Sequence, residues 1–457
     1  MDHPTQTLAD YAANLRFEDI PQAVIRRASL LALDVTGSVL RGSRDAAFAR
    51  SLQPALSDLG WSGQGRRGQG QAAVPGLSGR HALPVAALLS GTFGHALAFD
   101  DFHSTAMIHP SAPVVAAAFS VGQVTGAGGR DVLAAIVAGF EVGCRIGLAL
   151  DPAAQAEGGI DTTPVAGLLG ATAAAGRLYG LNGDSIAAAL ALAGSQAPVL
   201  RANPAASNAL RSWQVGQAAM NGVIAATLAR NGFAGAHDPV GEQADLLAGY
   251  PAGAKRDAAT AGLGEGFETL AIGIRPYPSN RYTHAALDGL AAIREDYGLQ
   301  ADDFQAVSIG LHQNGVRQTG RPFGGAGGAC SVAKAQSSMQ ATAAIMVLKG
   351  TLDWDDYACL STAEIAAISA RIEVRRDVRM EGLGHPFGAH LRIMTPQGEI
   401  TRRVPAPSGE GALFPPEQTI LAKFFTLATP VLGASAGAMA DLVLGLERID
   451  SFKEAFR

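Results

Sequence analysis

Apolar residues recur at intervals of three and four over most of the first 250 residues, and this period constrains the fold more than any other feature of the chain. It is the period of an α-helix with a buried face. The pattern breaks at glycine or proline, where helices end. Several segments, such as residues 186–199, are apolar on nearly every side, which predicts helices at the centre of a large bundle. The clearest predicted helices span residues 21–40, 83–98, 112–126, 129–150, 162–180, 183–197 and 211–231.

The period changes near Glu268, where short stretches alternate in a way that is typical of strands. The predicted strands are 269–274, 304–311, 371–375, 390–394 and 399–404, with helices at 284–297 and 333–348 between them. Helical spacing returns from Leu413 to Leu446. We therefore predict a mainly α protein. Its large all-helical domain is built from both chain ends, residues 1–267 and 408–457, and a smaller α+β lid domain is inserted as residues 268–407. A ligand is expected in a cleft between the two domains.

Composition excludes several classes of protein. A hydrophobic content of 48% with 16% charged residues over 457 residues predicts a large buried core and excludes a disordered chain. The formal net charge of −5 supplies no basic field for nucleic acid. Three cysteines are an odd number and indicate no disulfide framework, which favours a reducing compartment. The start of the chain is acidic and polar, and no window of about 18 residues lacks a polar interruption, so we expect a soluble, cytoplasmic protein without membrane partners.

Two carboxylates and two imidazoles lie within ten residues, at Asp100, Asp101, His103 and His109. These groups could form a metal site, because imidazole and carboxylate suit zinc, iron or manganese, but their spacing matches no common ligand motif. They could instead be structural, with the aspartates capping the next helix and the histidines bonding to turn backbones. We favour a third interpretation, acid and base chemistry on a bound substrate, and predict no metal.

A second polar segment runs from Arg275 to His284. Two prolines fix a rigid turn that leads into the helix after Arg281. Arg275 and Arg281 could bind a carboxylate through two parallel hydrogen bonds, and Tyr282 or His284 could transfer a proton. Arginine and tyrosine at the start of a helix can also serve only as caps and packing groups.

Five segments, taken in order, resemble the landmarks of the MmgE/PrpD family. They are LSGTFGHALAFDD at residues 89–101, HPSAP at 109–113, RPYPSNRYTH at 275–284, AQSS at 335–338 and KF at 423–424. The resemblance covers nearly the whole chain. It implies an enzyme without cofactors that acts on small polycarboxylates, as 2-methylcitrate dehydratase, cis-aconitate decarboxylase and iminodisuccinate epimerase do. It also implies a helical domain from both chain ends, an α+β lid and a homodimer.

The chain departs from the family pattern at the centre of the expected site. A carboxylate and a hydroxyl are replaced by Ala98 and Phe102, and Asp161 lies where members often have histidine. Other exchanges put Arg211 and Arg275 in place of lysines and Gln214 in place of a histidine. Arginine preserves a carboxylate clamp but does not exchange protons, because guanidinium stays charged. The resemblance therefore implies a site that still holds an anion, with its proton-transfer groups rearranged.

From the resemblance we expect abstraction of an α-proton followed by elimination, as in a dehydratase. Epimerisation or isomerisation through the same carbanion, decarboxylation, and carboxylate binding without turnover remain alternatives. His109 is the first choice for the base, since histidine titrates near neutrality. His103, Tyr282 and Asp161 are the other candidate catalytic groups. The predicted substrate-binding residues are Arg211, Arg275, Arg281, Asp100, Asp101, Gln214, His284, Gln336 and Ser338.

Overall fold

The computed structural model describes residues 3–61, 70–152, 161–197, 208–233, 240, 246–247, 255–323, 331–382 and 385–456. Helices dominate these residues, which confirms the predicted mainly α class. Contacts within the chain define two compact units. The first, called here the helical unit, holds the chain up to Ile274 and from Pro416 onward, and the second, the α+β unit, is Arg275–Pro415.

The helical unit is built mainly from long apolar helices. They are α1 Pro4–Asn14, α2 Gln22–Asp45, α3 Ala49–Asp58, α4 Leu83–Gly94, α5 Ser111–Thr125, α6 Gly129–Ala149, α7 Thr163–Leu178, α8 Gly183–Gly194 and α9 Asn208–Arg230. Two short antiparallel pairs join them, β1 Gln71–Ala72 with β2 His81–Ala82, and β3 Asp101–His103 with β4 Ile272–Ile274. Residues 268–274, which the sequence pattern placed in the α+β domain, lie in the helical unit because β4 bonds to β3.

Small residues let the central helices approach closely. Helix α7 packs against α6, and α9 packs against both α4 and α7. A Cβ atom added to Gly170 would lie 2.6 Å from the carbonyl oxygen of Gly139, and one added to Gly139 would lie 2.8 Å from the carbonyl oxygen of Gly170. The two backbones are therefore in direct contact at this crossing, which larger side chains would hold apart.

The α+β unit is a four-stranded sheet covered by helices. Its helices are α10 Arg281–Tyr297, α11 Gln313–Thr319, α12 Val332–Gln336, α13 Met339–Lys349 and α14 Ala363–Ser369. Its strands are β5 Ala306–Leu311, β6 Ile372–Arg376, β7 Ala389–Thr395 and β8 Gly398–Val404, in the order β6-β5-β7-β8. Strands β5 and β6 are parallel, and the other pairs are antiparallel. Leu287 and Ile293 of α10 share one core with Leu391 and Ile393 of β7.

One predicted helix of this unit, 333–348, is two helices. Helix α12 ends at Gln336 and α13 begins at Met339. The Ser338 hydroxyl accepts a hydrogen bond from the Ala341 N–H at 3.3 Å, which caps the new helix. Serine competes for backbone hydrogen bonds in this way, and the two consecutive serines therefore break the helix.

The chain then returns to the helical unit through α15 Glu417–Leu432 and α16 Ala436–Leu444. Helix α15 packs on α2. The buried ammonium of Lys423 lies 2.6 Å from Asp34 Oδ1 and donates to the Phe99 carbonyl oxygen at 2.6 Å. One cation thus connects α15, α2 and the loop that precedes β3.

Among the residues that the structure describes, two helical stretches are long and apolar enough to cross a membrane by length and composition, Gly129–Ala149 and Glu417–Leu444. The first is 94% buried inside the helical unit, as expected for the core helix of such a bundle. The second is 28% buried and faces α2 with residues such as Phe424 and Leu427. Localisation in the cytoplasm stays a prediction.

The contact between α6 and α7 can be tested with two glycine replacements. We expect Gly170→Ala to lower the free energy of unfolding by about 1–3 kcal/mol, because the new methyl group meets the Gly139 carbonyl. Gly437→Ala, in α16 with no atom within 4 Å of the new Cβ, is the matched control and should raise it by about 0.5–1 kcal/mol. Urea unfolding of both variants measures the difference. Equal effects would show that close packing at Gly170 does not matter.

Candidate active site

The loop between α4 and α5 carries two adjacent aspartates that have no exposed surface, Asp100 and Asp101. The loop, called here the acidic loop, spans residues 95–109 and includes β3. Ala98 and Met107 adopt the left-handed backbone conformation, with φ of 50° and 51°. Residues other than glycine rarely adopt it, and strain of about 1–3 kcal/mol of this kind clusters at functional sites. The fold therefore holds the acidic loop in a shape that its sequence alone does not favour.

Asp101 is a helix cap in the structure. Its Oδ2 accepts hydrogen bonds from the Ser111 N–H at 2.9 Å and from the Ser111 hydroxyl at 2.7 Å, at the start of α5. Burial raises the pKa of Asp101 well above its usual range, the charge of Asp100 raises it further, and the Ser111 bonds oppose the shift. Asp101 Oδ1 is buried without a hydrogen-bond partner among the described residues, which fits a protonated, neutral carboxyl group.

Two imidazoles face each other beside these aspartates. His95 Nδ1 lies 2.7 Å from Asp100 Oδ2, and His109 Nδ1 lies 2.7 Å from the Asp101 carbonyl oxygen. Because a carbonyl oxygen only accepts hydrogen bonds, the His109 Nδ1 carries the proton and Nε2 carries the lone pair of the neutral ring. The ring centroids are 5.0 Å apart. Asp100, just before β3, and Asp101, its first residue, thus orient one imidazole each.

Asp161 and Arg211 form an ion pair in the same unit. Arg211 donates to Asp161 Oδ2 from Nε at 3.0 Å and from Nη2 at 2.8 Å. Asp161 Oδ1 accepts from the Thr163 N–H at 3.1 Å, and Thr163 Oγ1 accepts from the His109 N–H at 3.3 Å. Burial by itself raises the pKa of Asp161, but the positive charge of Arg211, together with electrostatic interactions with His109 and His95, outweighs it and holds that pKa well below its usual range. Asp161 is therefore a carboxylate at neutral pH and a poor proton donor.

His103 belongs to a different network. Its Nε2 lies 2.9 Å from Glu268 Oε2, and its Nδ1 accepts from the Ala106 N–H at 3.1 Å. The His103 bond is the main cause of the lowered pKa of Glu268. Both ring nitrogens thus have partners that join β3 to the segment before β4. This placement fits the structural interpretation of the sequence better than a catalytic one.

His95, Asp100 and His109 also form a set that could hold a metal ion. Their potential ligand atoms all lie within 4.8 Å of one another, and all three residues are buried. Imidazole with carboxylate suits zinc or iron. His95 Nδ1 and Asp100 Oδ2 bond to each other, so an ion that used these two atoms would have to replace this hydrogen bond. The absence of a metal stays a prediction from the sequence.

In the α+β unit, Arg281 and His284 bond to residues of their own unit. Arg281 donates to Glu410 Oε1 at 2.5 Å, to the Ser408 carbonyl at 2.9 Å and to His284 Nδ1 at 3.0 Å. His284 Nε2 donates to the Ser279 carbonyl at 3.2 Å. The Arg281 side chain is only 5% exposed. These contacts hold the turn before α10 in place. The Arg281 N–H groups that make them could bind a substrate carboxylate only if these contacts broke.

The remaining predicted residues of this unit also support the turn. Gln336 donates to the Pro278 carbonyl at 2.9 Å, and the buried Arg275 donates to the Ser279 carbonyl at 3.3 Å. Burial raises the pKa of Tyr282 to about 12, so its phenol stays protonated at neutral pH.

The structure therefore divides the predicted site residues between the two units. The helical unit brings together Asp100, Asp101, His109, Asp161 and Arg211, and Gln214 is buried in α9 of the same unit. The α+β unit holds Arg275, Arg281, Tyr282, His284, Gln336 and Ser338.

Two polar residues of the helical unit, His95 and Asp34, were not predicted from the sequence. His95 was part of the landmark at residues 89–101 but was not predicted as a site residue, although a histidine five residues before Asp100 at the end of an apolar helix is a usable signal. Asp34 was not noticed either. It is a single acid inside the buried run of α2, and an unpaired charge there would be costly, so it predicts a partner such as Lys423.

Comparison with known proteins gives one consistent result. Residues 6–256 match the family model of the MmgE/PrpD N-terminal domain, and residues 277–446 match that of the MmgE/PrpD C-terminal domain. Cis-aconitate decarboxylase of Aspergillus terreus is 27% identical over 471 residues, which covers 97% of this chain and 93% of that protein. Human cis-aconitate decarboxylase is 27% identical over 76% of this chain and 70% of its own length. Cis-aconitate decarboxylase-like protein oryM of Aspergillus oryzae is 29% identical over 64% of this chain, and the match spans 62% of that relative.

The raised pKa of Asp101 predicts a pH-dependent effect of Asp101→Asn. The wild-type pKa is higher in the folded than in the unfolded state, so the wild-type free energy of unfolding falls as the pH rises above about 4. Asparagine keeps an oxygen for Ser111 but does not titrate. The relevant pH range lies between the pKa of Asp101 in the unfolded chain and its higher pKa in the folded protein. In this range we expect the free energy of unfolding of the variant to rise, relative to that of the wild type, by about 1.4 kcal/mol per pH unit. Urea unfolding at several pH values measures this, and a difference that is constant with pH would contradict a raised pKa.

Proposed function

The chain belongs to the MmgE/PrpD family, and on this premise we propose that it is a lyase that transfers protons at a carbon next to a carboxylate of a small organic acid. One observation carries the proposal, the pair formed by His95 and His109 with ring centroids 5.0 Å apart. Each ring has its Nδ1 bonded to an oxygen of the acidic loop, so each Nε2 is the nitrogen that can exchange a proton with substrate. Such a pair can remove one proton and supply another.

For elimination, His109 is the base. Its neutral Nε2 takes the α-proton, the electrons of the C–H bond form the carbon–carbon double bond, and the bond to the leaving hydroxyl breaks. Protonated His95, whose ring is held by Asp100, gives its proton to that hydroxyl, which leaves as water. The Asp101 carbonyl accepts from His109 Nδ1–H and would interact favourably with the positive charge that the ring gains.

Negative charge develops on the substrate carboxylate as the α-proton leaves. Fixed donors that point at this charge lower its free energy. In the helical unit, Arg211 lies in the same hydrogen-bonded group as His109, through Asp161 and Thr163, and its side chain is 36% exposed. Arg211 can supply such a donor only through the part of its guanidinium that Asp161 does not hold, and its side chain is more exposed than that of Arg281, which is 5% exposed.

Decarboxylation is the second candidate, and the names of the relatives favour it, since three of them are cis-aconitate decarboxylases or similar to one. In that reaction the bond to a carboxylate breaks, carbon dioxide leaves, and the electron pair left on the allylic system takes a proton from protonated His109. The same residues would serve, but only one proton donor is required. A pair of imidazoles would also support epimerisation, in which one ring removes the proton and the other returns it to the opposite face.

The role of His109 is tested with His109→Asn, since asparagine can keep a donor near the position of Nδ1 and has no base at the position of Nε2. We expect turnover, and proton exchange at the α-carbon, to fall by at least about 100-fold, the usual contribution of a general base. Proton NMR in deuterated water on a set of small di- and tricarboxylates measures both, and distinguishes dehydration, decarboxylation and epimerisation by their products.

The matched control is His103→Asn. This variant loses the bond to Glu268, so we expect a lower melting temperature but a rate for the folded enzyme of the same order as the wild type. If His103→Asn abolished exchange and His109→Asn did not, the assignment of the base would be wrong.

The absence of a metal is tested by dialysis against a chelator. Proton transfer between imidazoles and carbon needs no ion, so we expect the dialysed protein to keep its activity without added metal or nucleotide. Loss of activity that zinc or iron restores would instead show that His95, Asp100 and His109 are metal ligands.

A further inference from the structure

We propose that Asp161 is a built-in carboxylate that occupies Arg211, so that the enzyme prefers an acid with a neutral, apolar group where a tricarboxylate has its third carboxylate. The proposal rests on the proposed function in one respect, that the His95 and His109 pair marks the substrate site. It makes Asp161 a determinant of specificity.

The geometry of the ion pair supports this role. Two donors of the guanidinium, Nε and Nη2, bond to the same oxygen of Asp161 at 3.0 and 2.8 Å. Both donors on this edge of the guanidinium are therefore taken up by one oxygen of Asp161. The other carboxylate oxygen is fixed by the Thr163 N–H at 3.1 Å. A substrate carboxylate that used this edge would have to displace an aspartate that is held from two sides.

The charged residues beside His95 and His109 in the helical unit also disfavour the binding of an additional anion. Arg211 and Asp161 cancel each other, and Asp100 is bonded to His95. Arg211 interacts electrostatically with both aspartates. A third substrate carboxylate beside this pair would meet the fixed negative charge of Asp161 in a partly buried place, where the repulsion is stronger than in water.

Apolar surface lies next to the same imidazole. The Phe102 ring is 4.8 Å from the His109 ring, and Phe102 is 6% exposed. The backbone N–H of His109 donates to Thr163 Oγ1, and the backbone N–H of Thr163 donates to Asp161. A substrate group placed here therefore meets an aromatic ring and a neutralised ion pair, which fits an alkyl branch better than a carboxylate. The substrate class that follows is a mono- or dicarboxylate with an apolar branch.

The test compares the binding of two saturated acids of similar shape, tricarballylate and isobutylsuccinate, by calorimetry. Isobutylsuccinate has an isopropyl group in place of one terminal carboxylate. We expect the wild type to bind isobutylsuccinate about tenfold more tightly than tricarballylate, a difference of about 1.4 kcal/mol. In Asp161→Asn the amide oxygen still accepts from Thr163, but the negative charge is gone. We expect this variant to bind tricarballylate about tenfold more tightly than the wild type does, with little change for isobutylsuccinate.

A double variant identifies the cation. Adding Arg211→Gln to Asp161→Asn should abolish the gain for tricarballylate, because the guanidinium is then missing. The proposal is wrong if the wild type prefers tricarballylate, if Asp161→Asn leaves the preference unchanged, if the gain survives without Arg211, or if the wild type binds neither acid. Neither acid needs to react, so these results are independent of whether the enzyme proves to be a lyase.

Discussion

Burial of two adjacent carboxyl groups, Asp100 and Asp101, is the constraint on which the rest of the helical unit depends. An unpaired charge inside a protein is costly, so each group needs its own compensation. Burial raises the pKa of Asp101, which accepts two bonds from Ser111, while Asp100 is bonded to His95. Lys423 of α15 donates to the carbonyl oxygen of Phe99, which precedes Asp100, and so links α15 to the acidic loop. The return of the chain to the helical unit is therefore part of what makes this loop stable.

The same constraint produces the proposed chemistry. At the start of β3, the side chain of Asp100 and the carbonyl of Asp101 each reach a different imidazole. The strained backbone at Ala98 and Met107 is compatible with this arrangement only because the surrounding helices hold it. The hydrogen bonds that stabilise the acidic loop thus also orient the two imidazoles. The proposed effect of Asp161 on substrate specificity comes from a second set of hydrogen bonds, which includes Thr163.

Most helices could be predicted from the sequence because their apolar faces repeat at 3.6 residues whatever they pack against. The strands β5, β6, β7 and β8 were also predicted, since alternation marks a half-buried sheet. Helices α11 and α14 were missed, and they are only seven residues long, too short for a period to be clear. In the site, His109, Asp161 and Arg211 were predicted with the help of family resemblance. The position of His95, five residues before Asp100, was a signal that went unused, and the hydrogen bond between the two residues became visible only in the structure.

By itself the sequence determined the class of fold, the family and the acidic loop as a place of interest, because period, composition and motif order are properties of the chain alone. Only the tertiary structure decided which neighbours share a hydrogen bond. It put His103 with Glu268 and Arg281 with Glu410, although the sequence predicted both His103 and Arg281 as site residues. The physical reason is that charge compensation in a buried site depends on distances of about 3 Å between groups far apart in the chain, and no local pattern encodes such distances.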